Sequence, residues 1–131
     1  MRVLLADDSK LIIERLHTML SLYERVEIVG SFNNGTETLE ALRILKPDLA
    51  IVDIKMPGLS GLEVLNEIKK EDKIVKLITL TFCSSDHYRL LAMKAGTDYF
   101  FSKVDDFEKI SMVVSEMLEE EARKVLQIIS N

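Results

Sequence analysis

The chain has 131 residues, 47% of them apolar and 30% charged, and its 17 Lys and Arg against 22 Asp and Glu give a net charge of −5. That is one domain with a real core, too apolar for disorder. Its acid excess argues against direct binding to nucleic acid or to an anionic membrane, both of which need a basic face. No apolar run approaches the ~20 residues that cross a bilayer. The apolar start at Met1 is cut short by Asp7 and Asp8, so a signal peptide is not expected. Cys83 is the single cysteine and cannot form an internal disulfide. The expected location is cytoplasmic.

Five apolar runs alternate with five segments of helical pattern. Val3 to Ala6 comes first, then a helix from about Ser9 to Leu22 with Ile12, Ile13, Leu16 and Leu20 on one face. A weaker run, Val26 to Val29, ends at Gly30. Asn34 with Glu37 opens a second helix by a capping box, and that helix carries Leu39, Leu42 and Leu45 before Pro47. Leu49 to Val52 is the third run and ends at Asp53. Ser60 with Glu63 caps a helix bearing Leu62, Leu65 and Ile68, and Val75 to Leu80 follows, ending at Thr81. A helix over about Asp86 to Ala95 is closed by Gly96. Tyr99 to Phe101 leads to Lys103, and Asp105 with Glu108 is expected to cap the last helix, which carries Phe107, Ile110, Val114 and Met117.

Strands apolar on both faces and separated by helices predict a parallel sheet covered on both sides. The right-handed crossover rule then favours a doubly wound α/β sandwich. Parallel strands aim their C-terminal ends at one edge, where open α/β sheets bind ligands. Four of the five strands end in a chemical side chain: Asp7 and Asp8, Asp53, Thr81, and Lys103. Clustered carboxylates repel, and Mg²⁺ relieves that repulsion with oxygen ligands and few protein donors. No histidine is near these residues in sequence: His17 lies within the first helix and His87 near the start of the fourth, and both are read as surface or packing residues. What remains is a carboxylate able to attack phosphorus, shielded by metal and lysine, with an aspartyl phosphate as the intermediate. Taken singly, each residue also has a plain structural role, such as Asp8 capping the first helix or Asp53 forming a turn. Their joint placement is what points to chemistry.

These residues resemble the receiver domain of two-component response regulators, from Arg2 to about Ala122. The matching pieces are Asp7-Asp8, Asp53-Ile54-Lys55-Met56-Pro57-Gly58, Leu80-Thr81, and Ala95-Gly96-Thr97-Asp98 leading to Lys103. The resemblance implies a flavodoxin-like five-stranded sheet of order 2-1-3-4-5, with the receiver over residues 1–123 and the helix end and tail over 124–131. It implies that Asp53 takes a phosphoryl group from a sensor histidine kinase or phosphotransfer protein. Asp8, Asp53 and the backbone carbonyl of Lys55 would ligate Mg²⁺, with Asp7 acting through water. Thr81, the backbone of Phe82, and Lys103 would bind the phosphoryl oxygens, and Phe100 would be the switch aromatic that turns inward. Phosphorylation would then repack the face of the fourth helix, fifth strand and fifth helix. The readout would be a downstream protein target or a relay partner, with dimerisation on phosphorylation left open.

Three departures stand out. Phe82 occupies a position usually held by a small residue, so access to the phosphoryl group is expected to change. Val104 replaces the usual proline, which removes the expectation of a cis bond. The expected form is a stand-alone receiver without an output domain, its last apolar residues Val125, Ile128 and Ile129 forming a fraying end or a contact surface. Lys55 and Cys83 offer an attacking water neither acid nor amide, so a fairly long-lived phosphorylated state is expected. Competing readings are a receiver-like module that binds without phosphorylation, and a Mg²⁺-dependent phosphatase with an aspartate nucleophile. The first normally lacks one of the residues present here, and the second needs a substrate cap that the chain is too short to supply.

Overall fold

The computed structural model describes residues 1–130. Its elements follow the chain as β1 (Arg2–Ala6), α1 (Lys10–Leu20), β2 (Glu27–Phe32), α2 (Gly35–Leu45) and β3 (Leu49–Val52), then α3 (Gly61–Glu71), β4 (Lys76–Thr81), α4 (Asp86–Ala95), β5 (Tyr99–Ser102) and α5 (Lys109–Ser130). All strand pairs are parallel and the sheet order is β2-β1-β3-β4-β5, the flavodoxin-like arrangement expected.

Period-two alternation splits each strand between two cores. Val3, Leu5 and Ile51 join Leu16 and Leu20 of α1 and Ile110 and Val114 of α5 on one face. Leu4, Ala50 and Val52 join Leu42 of α2 and Leu65 and Ile68 of α3 on the other. Each fully buried Leu or Ile contributes roughly 2–3 kcal/mol relative to an exposed one, so these two layers hold the sheet rigid. A third, small cluster of Ile54, Ala92 and Phe100 lies under α4, a helix of which only Ala92 is buried. That helix is thinly anchored.

Side-chain caps start four of the helices. Ser9 Oγ accepts from Ile12 N–H, Asn34 Oδ1 from Glu37 N–H, Ser60 Oγ from Glu63 N–H and Ser85 Oγ from Tyr88 N–H, each worth about 1 kcal/mol. Asn34 Nδ2 also donates to Glu37 Oε2 at 2.9 Å, completing that box. Gly96, left-handed at φ 103°, ends α4.

Two expectations are corrected. β2 does not stop at Gly30 but continues to Phe32, because its register with β1 shifts between Val3–Ile28 and Leu4–Gly30. Val29 is the extra residue, and a glycine at such a bulge on an edge strand does not end pairing. The last helix is not capped by Asp105 with Glu108; it begins at Lys109. Ser102 Oγ accepts from the N–H groups of Val104 and Asp105, while Asp106 Oδ2 accepts from Ser102 N–H. These local bonds compete with helical ones and hold residues 103–108 in turns.

The start of α3 is pressed onto the end of β3. Gly61 N–H donates to Ile54 O at 2.7 Å, and a Cβ at Gly61 would run into the carbonyl oxygen of Asp53. Gly61→Ala is therefore expected to cost at least about 2 kcal/mol in urea unfolding. A second test concerns Asp106, whose carboxyl the Lys109 ammonium, then the Ser102 N–H, hold below the usual 3.8. A depressed carboxylate stabilises above its unfolded pKa and loses that contribution as pH falls through its folded one. The stability gap between the wild type and Asp106→Asn should thus be present at neutral pH and close below about pH 4.

Candidate functional site

The sheet register delivers the site. Asp7 N–H donates to Phe32 O and Asp53 N–H to Ala6 O, both at 2.9 Å, so the ladder runs one residue past β1 and β3. Their carboxylates therefore leave neighbouring strands side by side. Lys103 N–H donates to Thr81 O at 3.0 Å, which carries the lysine in from the other flank. Its Nζ lies 2.8 Å from Asp7 Oδ2 and 2.9 Å from Asp53 Oδ2, with all three side chains almost wholly buried.

Charge is unbalanced here. Burial lowers the pKa of Lys103, but the bonds to Asp53 and Asp7 outweigh it and the net shift is upward. Burial, with Asp53 adding its repulsion, raises the Asp7 pKa against the opposing pull of Lys103 and the Ser9 N–H. The ammonium stays charged, yet one positive charge faces three carboxylates. One oxygen from each of Asp7, Asp8 and Asp53 lies within 4.8 Å of the others. Asp53 Oδ1 is buried without a hydrogen-bond partner, an expensive condition for a carboxylate oxygen. An all-oxygen acidic set with one orphaned oxygen fits a hard dication.

Asp8 remains exposed and does not cap α1, a role Ser9 takes. Lys55 is exposed and lines, with Asp8, Pro57 and Tyr88, a cleft of about 440 Å³ next to the acids. Thr81 is buried, and its Oγ1 accepts from Cys83 N–H at 3.0 Å. That bond leaves the hydroxyl hydrogen free to donate elsewhere. Phe100 is 3% exposed, already inside the cluster with Ile54 and Ala92. Val104 is exposed, and His17 and His87 lie on helix surfaces.

Two features went unread in the sequence. Arg89 of α4 covers Phe100, its Cζ 4.8 Å from the ring centroid. Phe82, weighed only for its backbone and its size, lays its ring 4.8 Å from Lys103 Nζ. The second was findable: Thr81 pairs with Ser102 across β4 and β5, so the next residues on each strand are neighbours.

The family model for the response regulator receiver domain matches residues 3–115. This chain belongs to that family. The receiver is 32% identical over 102 residues to the response regulator GacA of Pseudomonas viridiflava, covering 78% of this chain and 48% of that protein. It spans about half the length of such curated relatives. Among solved structures it is similar to the response regulator domain of Thermotoga maritima CheB, with TM-score 0.78 and 26% identity over 92% of this chain and 94% of that one. It is also similar to the receiver domain of the putative response regulator NarL from Mycobacterium tuberculosis, with TM-score 0.81 and 25% identity over 90% and 95%. Receiver domains bind Mg²⁺ in an acidic pocket, and this receiver gathers Asp7, Asp8 and Asp53 into an acidic cluster. No helix among the described residues is long and apolar enough to cross a membrane.

Removing the lysine leaves the buried acids facing one another. Lys103→Met should cost about 3 kcal/mol at neutral pH in urea unfolding, the range for breaking one side of a buried ion pair.

Proposed function

We propose that Asp53 is the phosphoacceptor of a signalling receiver and takes its phosphoryl group from a phosphohistidine on a partner kinase or phosphotransfer protein. A single observation carries this: Asp53 is held by Lys103 through one oxygen while the other is buried and unpartnered among acids. A Mg²⁺ held by Asp8, Asp53 and the Lys55 carbonyl, with Asp7 reaching it through water, would neutralise charge on the transferring group. The Asp53 carboxylate attacks phosphorus, and the P–N bond breaks with its electron pair left on the imidazole nitrogen. The ring leaves neutral when its other nitrogen carries the proton. Lys103 and the Phe82 N–H bind phosphoryl oxygens, and Thr81 donates the hydrogen that its bond to Cys83 leaves free. The chain regulates and is itself modified; it turns over no separate substrate.

The acyl phosphate, roughly −1.5 to −2 in charge where the carboxylate carried one, draws on Thr81 and the loop after it, which leads directly into α4. Because Phe100 already lies inside, switching acts by locking the inward ring and the thinly held α4, a shift between existing states. The surface this biases includes Leu90 and Met93 of α4 and Met112 of α5, all exposed. That apolar surface suits a downstream protein, a relay partner or a second copy of the chain.

A small phosphodonor with Mg²⁺ should label the wild type and leave Asp53→Asn below about a tenth of that level, since Asp7, the other acid on Lys103, has its second oxygen taken by the Ser9 N–H. Equal labelling of the two would remove Asp53 from this role. Omitting Mg²⁺ should slow labelling of the wild type.

A further inference from the structure

α5 outruns the body that it packs on. Its last buried residue is Leu118, and the stretch from Glu119 to Ser130 buries no side chain. Those residues rise about 18 Å as a helix, and a helix of that length is marginal in water without a partner surface. Its ion pairs, Glu119 with Arg123 at 4.0 Å and Glu120 with Lys124 at 3.8 Å, are exposed and therefore weak. Yet Val125, Ile128 and Ile129 stand at least half exposed on it. Beneath this overhang, at the sheet edge opposite Asp53, lies a groove of about 920 Å³. Met1, Pro47 and Ile74, which precede β1, β3 and β4, form one wall, and Met117, Glu121 and Lys124 of α5 form the other. Ile74 is 92% exposed, so groove and overhang both leave apolar surface in water.

The order of side chains along α5 names the occupant. Met117, Glu121, Lys124 and Ile128 recur at intervals of 4, 3 and 4, which puts them on one side of the helix. From one end that side reads apolar, acidic, basic, apolar; from the other it reads apolar, basic, acidic, apolar. A second copy laid antiparallel therefore sets Met117 against Ile128 and Glu121 against Lys124, each contact made twice. A parallel copy would set Glu121 on Glu121 and Lys124 on Lys124. Glu119 and Glu120 already face Arg123 and Lys124 within the helix, while Glu121 has no ion pair among the described residues. Lys124, with three N–H donors, can serve both Glu120 and a partner acid. Each copy brings an overhang and a groove, and a two-fold axis uses both at once. Their exposed apolar side chains amount to on the order of 400 Å² per copy. The stems of Glu121 and Lys124 extend that toward the roughly 800 Å² per partner of a standard interface. We propose that the end of α5 and the groove beneath it are a dimer interface, two copies laying their α5 ends antiparallel, each in the other's groove. The interface lies at the far edge from Asp53, so the pair forms without phosphorylation and leaves both acidic clusters open. It does not rest on the phosphoacceptor reading.

The test is sedimentation of the full chain without phosphodonor or Mg²⁺. At about 100 μM the wild type should run as a dimer, with a Kd in the micromolar range. Glu121→Lys puts a second cation opposite the partner's Lys124, and Lys124→Glu puts a second acid opposite the partner's Glu121. Either change should weaken pairing at least about tenfold. Mixed in equal amounts, the two variants should pair again, because each then meets the opposite charge at both positions, which also shows that both are folded. Leu126→Gln, on the far side of the helix and 62% exposed, should leave the dimer intact. A wild type that stays monomeric at that concentration would overturn the proposal and leave the groove to another occupant. Charge variants that dimerise as the wild type does, a mixture that stays monomeric, or a Leu126→Gln as disruptive as Glu121→Lys would each overturn it too. So would a dimer seen only after phosphodonor is added, since that contact belongs to the α4 face.

Discussion

One buried ammonium among acids is the constraint on which this domain turns. Lys103 bonds Asp7 and Asp53 at once, yet a single positive charge cannot balance three carboxylates whose oxygens gather within 4.8 Å. Breaking a buried pair is costly because it strands a charge, so the lysine cannot leave. Full neutralisation is equally out of reach, because Asp53 Oδ1 has no partner at all. The pocket is thus stable only as part of a rigid sheet and stays receptive to further positive charge. Two apolar layers supply that rigidity, with β3 buried along its whole length between them.

Rigidity is uneven, and the unevenness follows the function. β1 and β3, which carry the acids, are pinned in the centre of the sheet by ladder bonds that run past their ends. α4 holds on through Ala92 and the small cluster around Phe100. Elements with few buried side chains open most readily. A site whose ligands stand on the firm strands, beside a loop feeding the weakly held helix, can pass a local charge change to one surface without disturbing the core.

Much of this was legible in the sequence because it depends on period and order. Apolar runs separated by capped helices fix a parallel sheet, and a parallel sheet fixes which strand ends meet. Asp7, Asp53, Thr81 and Lys103 could therefore be brought together from their places in the chain alone. What failed were features set by competing short-range hydrogen bonds or by register. Asp105 with Glu108 looks like a cap, but Ser102 and Asp106 take the same backbone groups into turns first. Gly30 looks like a strand end, but a one-residue shift against β1 absorbs it. Arg89 from α4 lies over the ring of the buried Phe100, a contact with no periodic signature.

The arithmetic of charge explains why a hydroxyl and a lysine stand on one side of the acids. Converting a carboxylate to an acyl phosphate replaces one negative charge by roughly two. Lys103 is already shared between two acids, so the added charge cannot be met there without loosening its hold on Asp7. Thr81 is the neutral donor at hand, fixed at the end of β4 with its oxygen occupied and its hydrogen free. With Asp53 in its proposed role, drawing that hydrogen toward the new oxygens would strain the bond to Cys83 and, through it, the loop that starts α4. The demand for one more donor would thereby become a pull on the least anchored helix, and Phe82, the first residue of that loop, sits over the lysine where that pull would begin.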